Sequence, residues 1–148
     1  MIRIVVINGP NLNLLGTREP ALYGARTLTD IEASLRERAA SLGVAITFAQ
    51  SNHEGELVDQ VQGLRGTADG AIVNLGAYTH TSLALRDAFL AVPIPFVEVH
   101  LSNLFKREDV RHHSMTADLA IGMVTGFGAR GYGMALEALV EHLQQQKP

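Results

Sequence analysis

The chain has 148 residues, of which 47% are hydrophobic and 18% are charged, and its formal net charge is −3. This composition is typical of one soluble globular domain that is large enough to bury a core. The small negative charge, without any block of basic residues, argues against nucleic acid or an anionic membrane as a partner, and we expect neither.

The chain contains no cysteine, which excludes disulfides, thiolate metal sites and cysteine nucleophiles. A chain without cysteine fits a cytoplasmic location, which we therefore expect. No apolar run approaches the length of about 18 residues that a transmembrane helix needs. Because Met1 leads directly into a strand pattern, we expect no signal peptide either.

The first predicted element is a buried strand over residues 4–7, and a long polar loop follows it. The loop extends to about residue 26 and carries Asn11, Arg18 and Tyr23 between glycines and prolines. A polar loop of this length after a buried strand is more often functional than idle. We therefore expect this loop to belong to a functional site.

Arg18 and Tyr23 suggest a basic phenol within this loop. The ordinary pKa of tyrosine is about 10, so roughly one phenol in a thousand is ionised at neutral pH. A guanidinium a few ångströms away in a partly dry pocket can lower such a pKa by enough to make a useful base. The alternative is an ordinary surface loop with a packed tyrosine, and the residue types alone leave both open.

Helix and strand patterns alternate after the loop. A capping box from Thr29 to Glu32 predicts a helix that ends at Gly43. The pattern then predicts strands over residues 44–49, 71–73, 96–100 and 119–124, and helices over residues 54–64, 83–91 and 132–144. Strands separated by helices favour a parallel sheet with right-handed crossovers. We therefore predict a single domain over residues 1–148, an α/β flavodoxin-like three-layer sandwich with a five-stranded parallel sheet.

Polar residues follow four of the predicted strands, at residues 8 and 11, 51 and 52, 74, and 98–103. In open α/β sheets, ligands bind beyond the carboxyl ends of the strands. The coincidence on four strands predicts a binding site at that edge of the sheet, without naming a reaction.

Glu98 and His100 lie two residues apart on the fourth predicted strand. Alternate residues of a strand face the same side, so Glu98 can orient the imidazole and leave its other nitrogen to donate a proton. This arrangement suits a general acid. The alternative is a histidine at a strand end that is paired with a convenient carboxylate.

Two further segments offer ligand-binding groups. After the third strand, Asn74 and His80 suit a hydroxylated or carboxylated ligand, whereas Thr79 or Thr81 can simply cap the next helix. After the fourth strand, backbone amides beyond residue 101 can hold an anion, and Arg111 can bind a carboxylate or hydroxyls.

Other patterns have weaker functional interpretations. The adjacent pair His112 and His113 does not predict a metal site, because neighbouring residues rarely point at one ion. Glycines at 126, 128 and 131 match the spacing of a dinucleotide fingerprint, but they follow the last strand, so close packing explains them better. Only two lysines occur, Lys106 and Lys147, and neither lies in an apolar setting, which argues against imine catalysis.

Six segments together resemble one family, the type II 3-dehydroquinate dehydratases of the shikimate pathway. They span nearly the whole chain in the order and spacing of that family: NGPNLNLLG at 8–16, REP at 18–20 with YG at 23–24, SN at 51–52 with EGEL at 54–57, GAYTHTS at 76–82, VEVHLSN at 97–103, and Arg107 with RHHS at 111–114.

The resemblance implies a hydro-lyase that converts 3-dehydroquinate to 3-dehydroshikimate by anti elimination through an enolate, in biosynthesis or quinate catabolism, with no metal or cofactor. Tyr23 would be the base, and Arg18 on the same mobile lid loop, about residues 17–26, would keep it ionised and close the site. Asn11 would hold the water that stabilises the enolate oxygen. His100, oriented by Glu98, would protonate the departing hydroxyl.

The resemblance also implies the binding residues and the assembly. Asn74 with the backbone at Leu101 and Ser102 would bind the substrate carboxylate, and His80 and Arg111 would bind ring hydroxyls. Asp87 would reach the site of a neighbouring subunit, which implies a homo-oligomer. Its unit would be a trimer, and such trimers usually assemble into a dodecamer.

One position departs from the family pattern, because Leu75 stands where members often have proline or alanine. We expect the bulkier side chain to shift the Asn74 amide and raise KM. The alternative to an enzyme is a flavodoxin-like module that binds a small anion or a mononucleotide such as FMN without turnover.

Overall fold

The computed structural model describes residues 1–17 and 19–146, apart from the side chain of Tyr23. A parallel five-stranded sheet forms its centre, with the strand order β2-β1-β3-β4-β5. The strands are β1 (Arg3–Asn8), β2 (Ala45–Gln50), β3 (Gly70–Asn74), β4 (Phe96–His100) and β5 (Gly122–Thr125). This confirms the predicted flavodoxin-like sheet, since the order 2-1-3-4-5 is that of a doubly wound fold.

Helices cover both faces of the sheet. They are α2 (Leu28–Leu42), α3 (Glu54–Gln62), α4 (Leu83–Ala91) and α5 (Arg130–Gln145), and the short α1 (Pro20–Tyr23) lies in the loop after β1. Alternate strand residues reach opposite layers: Ile72 packs in the cluster that includes α2 and α5, whereas Ala71 and Val73 pack in the cluster that includes α3 and α4. All five residues of β3 and all five of β4 are buried, as expected for central strands covered on both faces.

The capping box of α2 lies two residues earlier than the sequence pattern predicts. Thr27 has an extended backbone, its hydroxyl accepts from the Asp30 amide at 3.1 Å, and the Asp30 carboxylate accepts from the Thr27 amide at 3.0 Å. The predicted box at Thr29 is therefore wrong. Two overlapping capping patterns compete here, and the earlier one adds Leu28 to the helix, where it packs against the core.

Local hydrogen bonds correct one predicted helix cap and one predicted strand boundary, whereas α4 has the predicted bounds. Neither Thr79 nor Thr81 caps α4, because the Ser82 hydroxyl accepts from the Leu85 amide at 2.9 Å. The last strand was predicted from residue 119, but β5 begins at Gly122. The amides of Leu119 and Ala120 donate to the Thr116 carbonyl in a turn, so they do not join the sheet.

The topology places a crevice at the carboxyl ends of β1 and β3. From β1 the chain crosses to β2, which lies on one side of β1. It then crosses back to β3, which lies on the other side of β1, so the two crossovers run in opposite directions from this point. Such a switch point is where doubly wound folds bind ligands. Within the described part of the chain, no helix has the length and hydropathy needed to span a membrane.

Candidate active site

A cavity of about 180 Å³ lies beyond the carboxyl ends of β1, β3 and β4. Seven residues predicted from the sequence line it: Asn11, Asn74, His80, His100, Leu101, Ser102 and Arg111. The strand ends bring these residues together from four separate segments of the chain. The predicted site therefore forms one cavity, lined by two arginines and two histidines that suit an anionic ligand.

Glu98 lies behind His100, as the spacing on β4 predicts. The Glu98 Oε2 atom is 2.7 Å from His100 Nε2, and both residues are buried, with exposed fractions of 1% and 4%. Because an ionised carboxylate only accepts hydrogen bonds, Nε2 must carry the hydrogen. His100 therefore has Nδ1 left for a ligand, and this atom donates a proton only when the imidazole ring is fully protonated.

Two hydroxyls hold the other oxygen of Glu98. Thr116 donates to Oε1 at 2.6 Å, and Ser114 donates to the same atom at 2.9 Å. Burial alone would raise the pKa of Glu98, but the hydrogen bond and charge of His100, helped by the two hydroxyls, outweigh it and hold the pKa below its ordinary value. Glu98 is thus a permanently ionised, rigid support for His100 at neutral pH.

His80 stacks beside His100, with ring centroids 6.3 Å apart and an interplanar angle of 25°. Its Nδ1 atom is 2.9 Å from the His113 carbonyl, so Nδ1 carries the hydrogen and Nε2 is the acceptor. Burial lowers the pKa of His80, and the neighbouring charges of His100 and Arg111 lower it further. A neutral His80 can accept a hydrogen bond from a ligand hydroxyl without adding charge beside His100.

A glycine turn after β5 fixes the orientation of two peptide groups next to the cavity. The carbonyls of His100 and Leu101 accept from the amides of Gly126 at 3.2 Å and Gly128 at 2.9 Å. In a trans peptide the N–H points opposite to the C=O, so the amides of Leu101 and Ser102 point away from this turn. Since both residues line the cavity, their amides are suited to bind an anion.

This geometry also explains the glycine spacing noted in the sequence. Gly126 has φ +96°, and a Cβ atom there would lie 2.9 Å from the Cβ atom of Asn103. At Gly131, a Cβ would come within 3.3 Å of Val124. Close packing accounts for Gly126 and Gly131, whereas Gly128 has open space at its Cβ position and a left-handed φ of +65°.

Asn74 has its amide held from two sides. Its Oδ1 atom accepts from the Gly76 amide at 3.2 Å, and its Nδ2 atom donates to the Tyr132 hydroxyl at 3.0 Å. Asn11 is positioned by its backbone: it has φ 70°, in the left-handed region that asparagine tolerates, and its amide donates to Asn52 Oδ1 at 3.0 Å. Both asparagines are thus preset at the cavity wall.

The segment after β4 supplies the two arginines. Arg111 contacts Glu108 through Nε at 2.5 Å, and Arg107 donates to the Ser102 hydroxyl at 3.0 Å. The sequence predicted Arg111 but not Arg107 as a site residue, although Arg107 also lines the cavity. Arg107 belongs to one of the segments that resemble the family, together with Arg111, and this could have identified it as a site residue.

Besides Glu98, which lies behind His100, three predicted residues are not placed in this cavity. Arg18 lies outside the described residues, and so does the side chain of Tyr23, whose backbone ends α1. Asp87 is exposed on α4 and does not line the cavity of its own chain. Among the described residues, no three His, Asp or Glu side chains are grouped so that they could hold a metal ion.

Comparison with known proteins identifies relatives over nearly the full length. The model of the family Dehydroquinase class II matches residues 2–140. A 3-dehydroquinate dehydratase from a Jannaschia species is 58% identical over 144 residues, which cover 97% of this chain and 97% of that protein. A catabolic 3-dehydroquinase from Aspergillus oryzae is 53% identical and covers 97% of this chain and 94% of its own. The crystal structure of a type II dehydroquinase from Butyrivibrio crossotus matches with a TM-score of 0.91 at 42% identity, covering 93% of this chain and 97% of that one.

Proposed function

The chain belongs to the class II dehydroquinase family, and from that premise we propose that it dehydrates 3-dehydroquinate to 3-dehydroshikimate. The reaction needs a base that removes a proton next to the ketone, an acid that protonates the departing hydroxyl, and an anchor for the carboxylate. One observation carries the proposal: His100, with Glu98 paired behind it, lines the same cavity as Leu101, Ser102 and two arginines.

His100 is the proposed acid. Since its Nε2 hydrogen is committed to Glu98, the proton for the leaving hydroxyl comes from Nδ1 of the fully protonated ring. The carbon–oxygen bond breaks, the hydroxyl leaves as water, and His100 becomes neutral while Glu98 stays ionised. The rigid support from Ser114 and Thr116 keeps this geometry constant through the proton transfer.

Tyr23 is the proposed base, as the family resemblance implies. Its phenolate takes the carbon-bound proton and leaves an enolate, which then expels the hydroxyl in an anti elimination. Arg18 on the same lid, within residues 17–26, keeps the phenol ionised and closes the site. We expect Arg18→Ala to reduce kcat severely while the circular dichroism spectrum stays that of the wild type. Near-normal turnover in that variant would remove Arg18 from the mechanism.

The remaining predicted residues bind the substrate. Asn74 and the amides of Leu101 and Ser102 hold the carboxylate, which is supported by the direction of these amides at the cavity wall. His80 accepts a hydrogen bond from one ring hydroxyl. Two other roles complete this set: Arg111 binds a second hydroxyl, and Asn11 holds the water next to the enolate oxygen.

Asp87 and the assembly belong to the same proposal. Because Asp87 is exposed and does not line the cavity of its own chain, it can reach a neighbouring subunit in a trimer, four of which make a dodecamer. Light scattering after size exclusion measures the assembly. Mixing inactive Asp87→Ala and Tyr23→Phe proteins under conditions of subunit exchange should restore part of the activity, because some sites then receive both intact residues. No recovery despite proven exchange would place Asp87 outside the shared site.

The first experiment follows the ultraviolet absorbance of the conjugated product with purified protein and 3-dehydroquinate, with Tyr23→Phe and His100→Ala in parallel. Turnover that is lost in both variants supports the reaction, the base and the acid. Turnover that survives in either variant would overturn the role of that residue. A folded wild type that is inactive but binds FMN in equilibrium dialysis would favour the nucleotide-binding alternative. Cell fractionation tests the cytoplasmic location that we propose.

A further inference from the structure

The Tyr132 side chain lies completely buried between the start of α5 and the carboxyl ends of β1 and β3. Its hydroxyl donates to Asn8 Oδ1 at 2.5 Å and accepts from Asn74 Nδ2 at 3.0 Å. Asn8 and Asn74 are neighbours across the β1–β3 pairing, so the phenol bridges two strand ends at the floor of the cavity. The hydroxyl does not itself line the cavity.

The hydrogen bonds of this phenol run in one direction. Burial raises the pKa of Tyr132 well above its ordinary value, against the smaller opposing effect of the Asn74 hydrogen bond, so the phenol keeps its proton. It has a single hydrogen, and the short contact to Asn8 uses it. Only lone pairs therefore face Asn74, and they require a donor there.

The direction decides which way the Asn74 amide points. In the observed orientation, Nδ2 donates to Tyr132 and Oδ1 accepts from the Gly76 amide. If the amide were flipped, its oxygen would face the lone pairs of Tyr132 and its NH2 group would face the Gly76 N–H. Both contacts would then be repulsive, and buried polar groups without partners are costly.

We propose that Tyr132 is a positioning residue that orients the Asn74 amide so that its second N–H is presented to the substrate carboxylate. The inference rests on the proposed carboxylate-binding role of Asn74. A carboxylate only accepts hydrogen bonds, so a flipped amide would present an oxygen and repel it. Tyr132 acts through Asn74 and touches neither the substrate nor the reacting atoms.

The test compares Tyr132→Phe, Asn74→Ala and the double variant in steady-state turnover of 3-dehydroquinate. We expect Tyr132→Phe to raise KM about tenfold, the factor that corresponds to one lost hydrogen bond, and to change kcat by less than about twofold. In the Asn74→Ala background, Tyr132→Phe should have no further effect on KM, because the residue it orients is gone. A purely structural role would lower stability without this split or this coupling.

Val140→Ala is the matched control, since Val140 is buried on the same helix, eight residues further along. It should lower the melting temperature and leave KM at the wild-type value. The inference is overturned if Tyr132→Phe leaves KM unchanged, or if it raises KM by the same factor in the wild-type and Asn74→Ala backgrounds. It is also overturned if Val140→Ala raises KM as much as Tyr132→Phe does. If Tyr132→Phe does not fold, Asn8→Ala serves instead: it removes the acceptor that directs the phenol, and KM should again rise.

Calorimetric binding of quinate, a hydroxy acid with the same type of carboxylate, separates this inference from the proposed reaction. Tyr132→Phe should weaken quinate binding about tenfold, whether or not the wild type turns over 3-dehydroquinate. A wild type that binds quinate without turnover would refute the reaction and leave the inference testable by this assay. A wild type that neither turns over nor binds quinate would overturn both.

Discussion

Thr116→Val tests how much the buried Glu98 carboxylate depends on its hydroxyl donors. Thr116 is 1% exposed, and its hydroxyl donates to Glu98 Oε1 at 2.6 Å. Valine has nearly the same shape but no donor. The variant therefore removes one of the three hydrogen bonds that described side chains make to this carboxylate, with little change in packing.

The expected loss of stability at pH 7 is about 1.5–3 kcal/mol, the usual size of a hydrogen bond to a charged group. For a chain of this length, this corresponds to a decrease of about 3–12 °C in the melting temperature. The loss depends on pH. Because the folded-state pKa of Glu98 is lowered, its stabilising contribution is complete above the unfolded-state pKa of about 4.3 and disappears as the pH falls through the folded-state value.

Chemical denaturation between pH 7 and pH 3 measures this dependence, with Thr67→Val as the control. The Thr67 hydroxyl donates at 2.6 Å to the Gly63 carbonyl, which does not titrate. The control should lose about 0.5–1.5 kcal/mol at every pH. If Thr116→Val lost the same free energy at pH 7 and pH 3, the hydroxyl would not act through the charge of Glu98.

Three further predictions concern the carboxyl end of β3. Leu75→Pro should lower KM, because it relaxes the backbone next to Asn74, and an unchanged KM would refute this expectation. The variant should also lose stability, because the Leu75 side chain is buried in the core. Gly9→Ala should lower both stability and kcat/KM, because the new Cβ would lie 2.3 Å from the Leu75 carbonyl oxygen. The control is Gly55→Ala in α3, which should be tolerated because a Cβ there meets nothing within 4 Å. Thr79→Val should raise the free energy of unfolding by about 1 kcal/mol, because the buried Thr79 hydroxyl has no partner among the described residues, and a fall measured by denaturation would contradict this.

Most of the fold could be predicted because its signals are local. The apolar runs of the first, third and fourth strands became buried strands, and β4 has the predicted bounds. Glu98 and His100 face the same side because a strand alternates every second residue. Gly43 ends α2 in the left-handed conformation, as its position predicted.

The failures came where two local signals competed. Thr27 and Thr29 both begin a capping pattern, and the packing of Leu28 against the core decided between them. Ser82 was preferred over two threonines as the cap of α4. Serine and threonine have similar propensities to cap a helix, so the burial of a neighbouring side chain is enough to decide which of them forms the cap.

The supporting residues of the site could not be predicted from spacing. Tyr132 contacts Asn8 across 124 residues and Asn74 across 58, and Thr116 contacts Glu98 across 18. Nothing in the local pattern distinguishes Thr116 from an ordinary loop threonine or Tyr132 from an ordinary core tyrosine. Their roles depend on which hydroxyl hydrogen points to which acceptor.

The sequence by itself determined the family, the parallel sheet and the residues that gather at its carboxyl edge, because periodicity and motif spacing act over a few residues. Only the tertiary structure decided the direction of the hydrogen bonds around those residues. Which nitrogen of His100 is left for a ligand, and which end of the Asn74 amide faces Tyr132, depend on groups brought together by packing. These directions determine whether each of these side chains can donate or accept a hydrogen bond at the cavity.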